Sequence, residues 1–318
     1  MARHGPSGGI TNLRPNRSRR PGGRREPAVG ILVWAVLACA AASLVPTAAF
    51  AVSSPAGSDW RGTTPKLASH ATHSGWGTVT YTPAGWPIPL QGDLWGPAPT
   101  SSGVWPGIVM IHGGGFTKGT RDWNTGISQW LADNGYVVLN IDYRLAPTWV
   151  YPAMEQDALQ AIQWLRDRPY IASVSVFGTS AGAVIAEELA NSWSTGLASA
   201  VAWSGMGDYD PNDSGPTDHL GCSQTECPRL FEDAEPISHI DKSDTPLFVA
   251  HSLGDTHIAC WTDSDFISQY IRPHGYYEPS GTEHGTDFLG DATAKSQTLG
   301  FLRAPDRPGS KSWQRWPG

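Results

Sequence analysis

The stretch Val174-Ser175-Val176-Phe177-Gly178-Thr179-Ser180-Ala181-Gly182-Ala183-Val184-Ile185, "VSVFGTSAGAVI", changes its hydrophobic period in the middle. Before Gly178 a short apolar run has the look of a buried strand; after Ser180 the run "AGAVIAEELA" is a good helix former with Val184, Ile185 and Leu189 on one side. A serine between two glycines at a strand-to-helix turn is the context of a nucleophile elbow, in which side chains at 178 and 182 would collide with neighbouring backbone. Gly5-Pro6-Ser7-Gly8-Gly9 fits the same five-residue pattern without strand or helix around it, so the context carries the reading and the pattern alone does not.

Outward from this turn the same alternation repeats. Short apolar runs, "GIVMIHG", "YVVLNIDY", "SVSVFG", "LASAVAWSG" and "PLFVAHS", are separated by amphipathic segments over 123–134, 152–166 and 181–190, and helices are expected near 262–272 and 292–302. Strand, helix, strand, helix predicts an α/β fold with a mostly parallel sheet covered on both faces. Two β-rich stretches, 77–82 and 90–95, read as an opening antiparallel pair. The segment 206–235 breaks the rhythm: it is polar, turn-rich and about thirty residues long, too long for an ordinary connection, and is expected to form a lid-like insertion over a site.

The amino terminus is of another kind. Seven Arg and one Glu occupy residues 1–26, followed by an uncharged apolar run from Ala28 to Ala51 that ends in the small-x-small tripeptide Ala49-Phe50-Ala51. That order predicts a signal peptide over 1–51 and an exported protein; kept uncleaved, the run is long enough to anchor the chain in a membrane. A linker is expected over 52–75, the catalytic domain over 76–303 and a disordered tail over 304–318. Of the 22 Lys/Arg and 29 Asp/Glu, 15 and 28 lie beyond residue 51, a net of 13 negative charges that argues against nucleic acid as a partner. Cys222 and Cys227 are close enough to staple one loop in an oxidising compartment, Cys260 is then the odd one, and the three lack the spacing of a zinc site.

A serine hydroxyl needs a base and a place for negative charge. "VMIHGGGF" puts His112-Gly113-Gly114-Gly115-Phe116 directly after a buried strand, where unobstructed backbone N–H groups suit an oxyanion hole together with the N–H of Ala181. Downstream, "PLFVAHSLGD" ends a strand with Asp255 in the following loop, and "YYEPSGTEHGTDF" brings His284 after the last strand signal. His251 reads as lying within the strand, His257 as too near Asp255, His274 as closing a helix, and Asp241 and Asp244 as preceding the strand. Order and placement therefore favour Asp255 as acid and His284 as base.

"HGGGF", "NIDYRLAP", "YPAMEQDALQAIQWLR", "GTSAG" and "AEPISHIDKSDTPLFVAHSLGD" together resemble the α/β-hydrolase superfamily, in particular its acetyl esterase, carboxylesterase and lipase-like group, over roughly residues 77–303. The resemblance implies the eight-stranded α/β-hydrolase fold, a triad of Ser180, Asp255 and His284, and oxyanion donors at Gly114, Gly115 and Ala181. This chain departs from the usual pattern at Thr179, Ala183 and Ala234-Glu235-Pro236. What is implied is a serine esterase acting on short-chain, acetyl-like carboxylic esters with no cofactor or metal. Arylformamidase or amidase activity, polysaccharide deacetylation and a non-catalytic binding role are the alternatives. Trp86, Trp95, Trp105, Trp149 and Trp203 are read either as a carbohydrate platform or, more simply, as packing.

Overall fold

The computed structural model describes residues 74–97, 104–270 and 274–304. The expected signal segment 1–51, nearly all of the expected linker and the expected tail beyond Ala304 lie outside them. Eight strands form one sheet in the order β1-β2-β4-β3-β5-β6-β7-β8. They are β1 (Ser74–Thr80), β2 (Gln91–Gly96), β3 (Trp105–Ile111), β4 (Val137–Ile141), β5 (Ile171–Thr179), β6 (Ala200–Trp203), β7 (Leu247–Ala250) and β8 (His274–Tyr277). β2 runs antiparallel to both β1 and β4, and from β4 to β8 every pairing is parallel.

The helices are α1 (Thr125–Asp133), α2 (Ala153–Arg166), α3 (Ala181–Asn191), α4 (Gly215–Leu220), α5 (Pro228–Ala234), α6 (Trp261–Gln269) and α7 (Ala292–Arg303). β3 shows why the sheet needs cover on two sides. Ile108 and Met110 belong to a core with Ile127, Phe177, Trp203 and Phe248, whereas Val109 and Ile111 belong to the other core with Met154, Ile162, Val184 and Leu189. Successive strand residues face opposite ways, so a strand apolar at every position buries both faces, each large side chain contributing about 1.5–3 kcal/mol. At the start of α7, Asp291 accepts from the N–H groups of Thr293 and Ala294, satisfying donors that the first turn leaves open.

Two boundaries differ from the sequence reading. β1 begins at Ser74, inside the expected linker, because Ser74 and Gly75 pair with Gly96 and Trp95 across a register shift before Gly77. Backbone pairing needs no periodic side chains, so composition concealed it. His274, read as closing a helix, opens β8 opposite Leu247. Among the described residues no helix is long and apolar enough to cross a membrane.

Candidate active site

The groups singled out from the sequence converge at the carboxyl edge of the parallel strands, the edge where open α/β sheets bind ligands. Ser180 follows β5 at the first turn of α3, with φ 54° and ψ −125°. The elbow depends on its glycines: a Cβ on Gly178 would lie 1.9 Å from the carbonyl oxygen of Gly182, and one on Gly182 would lie 2.3 Å from that of Ile111. The Ser180 N–H donates to the carbonyl of Trp203 at 2.9 Å, which ties the turn to β6.

Ser180 Oγ lies 2.9 Å from His284 Nε2, and His284 Nδ1 lies 2.7 Å from Asp255 Oδ2. The other oxygen of Asp255 accepts from the N–H groups of His257 and Ile258 at 2.8 and 3.2 Å. The two loops are joined directly, since Leu253 and Gly254 donate to the carbonyls of Pro279 and Gly281. Beyond His284, Gly285 donates to the hydroxyl of the buried Ser204 at 3.0 Å. Asp241 and Asp244 precede β7, as expected, at the opposite end of that strand.

His251 belongs to the same constellation, although the sequence reading set it aside as a strand residue. It stands one position beyond β7, fully buried, with Nδ1 2.8 Å from Asp263 and Nε2 3.4 Å from Asp255 Oδ2. Burial opposes a charge on this imidazole, but its hydrogen bonds to Asp255 and Asp263 outweigh burial and push it up to about 10. Burial likewise works against ionised Asp255, yet the hydrogen bonds from His251 and His284 hold its carboxyl well below the usual carboxylate range. Asp263 also accepts from the N–H groups of Gly205 and Gly207, fastening the start of the 206–235 segment. The signal was faint because Asp263 lies inside α6 and meets His251 only through the tertiary fold.

The HGGG loop crosses above β3. His112 packs face to face with Tyr143 at 4.3 Å, its Nδ1 lies 2.6 Å from the Gly113 carbonyl, and burial draws its pKa down. Tyr143 in turn donates its hydroxyl to the His112 carbonyl at 2.8 Å, so the start of the loop is held by both contacts. Among the described residues no backbone carbonyl accepts from the N–H of Gly114, Gly115 or Ala181. These three residues, Ser180 and His284 line one cleft of about 780 Å³.

Met206, Tyr209, Asp213 and Asp218 form another side of that cleft, so the 206–235 segment does border the site. It carries α4, α5 and a Cys222–Cys227 disulfide, while Cys260 is buried elsewhere. None of the five tryptophans named from the sequence lines the cleft. Trp203 is fully buried, and Trp86 and Trp149 lie against the guanidinium of Arg144. The tryptophan that does line it is Trp123, 51% exposed.

Three comparisons bear on this geometry. The BD-FAE family model matches residues 93–269, more than half of the chain. Esterase LipC of Mycobacterium tuberculosis is 27% identical over 235 residues, covering 63% of this chain and 58% of that protein. The chain therefore spans less than two thirds of the length of the curated relatives it matches. Among solved structures, a truncated carbohydrate esterase from gut microbiota superimposes with a TM-score of 0.64 at 19% identity, over 74% of this chain and 98% of that one. An acetyl ester-xyloside bifunctional hydrolase from Caldicellulosiruptor lactoaceticus gives 0.59 at 18% identity, over 68% and 88%. At such identities the superpositions speak for the fold alone.

Proposed function

We propose, since the chain belongs to the BD-FAE family of α/β-hydrolases, that it is a serine esterase hydrolysing short-chain carboxylic esters through Ser180, His284 and Asp255. The observation that carries this reading is the continuous chain of hydrogen bonds from Ser180 Oγ through His284 to Asp255, 2.9 and 2.7 Å long, on a strained elbow in a cleft.

The chemistry follows from the positions. His284 Nε2 takes the Ser180 proton as Oγ attacks the ester carbonyl carbon, and the imidazolium formed is stabilised by ionised Asp255. Negative charge then develops on the carbonyl oxygen, beside the N–H groups of Gly114, Gly115 and Ala181 and the positive end of α3. The C–O bond to the leaving group breaks as His284 returns the proton to it. Water, deprotonated by the same imidazole, then releases the acid from the acyl-enzyme. Every step uses groups of this chain, with no cofactor. A short-chain preference is supported by the 206–235 insertion, which puts the carboxylates Asp213 and Asp218 on the cleft wall.

A second reading, an acylated carbohydrate as the natural ester, is favoured by Trp123, whose half-exposed indole lies at the cleft where a sugar ring would stack. The likeness to a carbohydrate esterase and an acetyl ester-xyloside hydrolase agrees with it. The basic-then-apolar amino terminus supports export, with the membrane as a partner only if that segment is retained. The test is hydrolysis of p-nitrophenyl esters from acetate to palmitate, with Ser180→Ala alongside. Activity that falls with chain length and is lost in the variant is expected. Activity that survives Ser180→Ala, faster turnover of amides than esters, or a folded but inert protein would overturn the reading.

A further inference from the structure

A second group of ionisable side chains lies outside the triad, where the insertion meets the body of the protein. Glu155 of α2, Glu188 of α3 and His219 of α4 are buried almost completely, with side-chain exposures of 0%, 1% and 0%. His219 Nε2 is 2.8 Å from Glu155 Oε1, and its Nδ1 is 3.8 Å from Glu188 Oε1. One donor atom from each residue can be chosen so that all three lie within 4.8 Å of one another. The walls are aromatic: Phe116 stacks on the imidazole at 4.1 Å and Tyr151 meets it edge-on at 5.5 Å.

Two observations make this more than a knot of hydrogen bonds. Glu155 and Glu188 each bring a carboxylate oxygen within 4.8 Å of the other beside the His219 imidazole, and among the described residues no lysine or arginine forms an ion pair with either. In addition, Glu155 Oε2 and Glu188 Oε2 are both sealed from solvent without a hydrogen-bond partner. Two carboxylate oxygens enclosed together in an apolar pocket are strongly disfavoured unless a shared proton or a cation lies between them. A single imidazolium neutralises one of two carboxylates. A divalent cation bound by both carboxylates and a neutral imidazole neutralises the whole group.

We propose that Glu155, Glu188 and His219 form a divalent metal site, of zinc or manganese type, that fastens the 206–235 insertion to helices α2 and α3. Two oxygens and one imidazole nitrogen from three separate elements are a donor set suited to those ions. Tyr209 donates to Glu188 Oε1 at 3.0 Å, the kind of outer contact that orients a ligating carboxylate. The three residues are far apart in sequence and match no spacing motif. None of them lines the catalytic cleft, so the ion is structural and takes no part in ester hydrolysis. Its effect on the site passes through Phe116, which follows the glycine run, stacks on His219 and does line the cleft.

The test is metal uptake by the full chain after chelation and dialysis, with Zn²⁺ or Mn²⁺ as the titrant. One ion per chain is expected, with a rise in Tm of roughly 5 °C or more at a hundredfold excess over Kd. Glu188→Gln, Glu155→Gln and His219→Gln, checked for folding by circular dichroism, should each weaken uptake at least about tenfold, as losing one of three ligands demands. Ser180→Ala should take up metal like the parent, which separates failure of this proposal from failure of the esterase reading. No uptake by the parent protein, uptake unaffected in folded Glu188→Gln, or sulfur ligation in the X-ray absorption spectrum of the loaded parent would overturn it. The last of these would place the ion on a cysteine and needs no variant.

Discussion

Ser180 holds φ 54°, a value at which an L-residue pays about 1–3 kcal/mol in backbone strain, and the sheet supplies what holds it there. Ser180→Ala should keep the fold and lower kcat by a factor on the order of 10⁵ or more, measured by steady-state hydrolysis of p-nitrophenyl acetate. Gly182→Ala should behave differently, because its Cβ would meet two backbone carbonyls, of Ile111 and His112, at 2.3 and 2.6 Å. Its Tm should fall together with its activity. His251 gives a prediction in pH. Its folded pKa, about 10, is raised above the ordinary value near 6.5, so its contribution to stability is complete below pH 6.5 and is lost as pH rises through 10. Urea unfolding should therefore weaken across that window with a slope approaching ~1.4 kcal/mol per pH unit, and His251→Gln should flatten it. At this scale the proposed triad was legible from chain order, since each member lies just past a strand. His251 was not, because its partner Asp263 is twelve residues away in a helix and nothing local announces the pair.

At the scale of elements, the parallel strands and the helices α1, α2, α3, α6 and α7 were legible because their hydrophobic periods differ. α3 was only half understood: the sequence put Val184, Ile185 and Leu189 on one side, whereas residues 181–190 are buried on every side, Glu187 and Glu188 included. Such a helix is apolar on one face in sequence and enclosed all round in space once the insertion covers it. The base of that insertion holds a close carboxyl pair. Burial and the neighbouring Glu235 push Asp208 up to about 7. An acid raised in this way favours the folded state while protonated and weighs against it as pH climbs from about 4 to 7. Asp208→Asn should thus raise Tm by roughly 2–4 °C at pH 8 and leave it unchanged at pH 4, which differential scanning calorimetry would resolve.

For the whole molecule, the sheet order places the loops after β3, β5, β7 and β8 at one edge, and this brings Gly114, Ser180 and His284 around one cleft with the Asp255 side chain buried behind His284. No local pattern states that; it follows from parallel pairing once the strands are recognised. The tryptophans show the limit. Strand alternation sends Trp203 into the core and Arg144 occupies Trp86 and Trp149, so counting aromatics said little about the cleft, and Trp123 was passed over as part of a helix. If a sugar ring stacks there, Trp123→Ala should raise KM for an acetylated xylooligosaccharide by about tenfold, a loss of about 1.4 kcal/mol, while leaving p-nitrophenyl acetate hydrolysis nearly unchanged. The central claim, that Ser180 is the nucleophile, is tested most directly by treating the protein with diethyl p-nitrophenyl phosphate and mapping the adduct by peptide mass spectrometry. One phosphoryl group on the peptide containing Ser180, appearing in step with loss of esterase activity and absent from Ser180→Ala, is the predicted result. Stoichiometric labelling of another residue, or loss of activity with Ser180 unmodified, would contradict it.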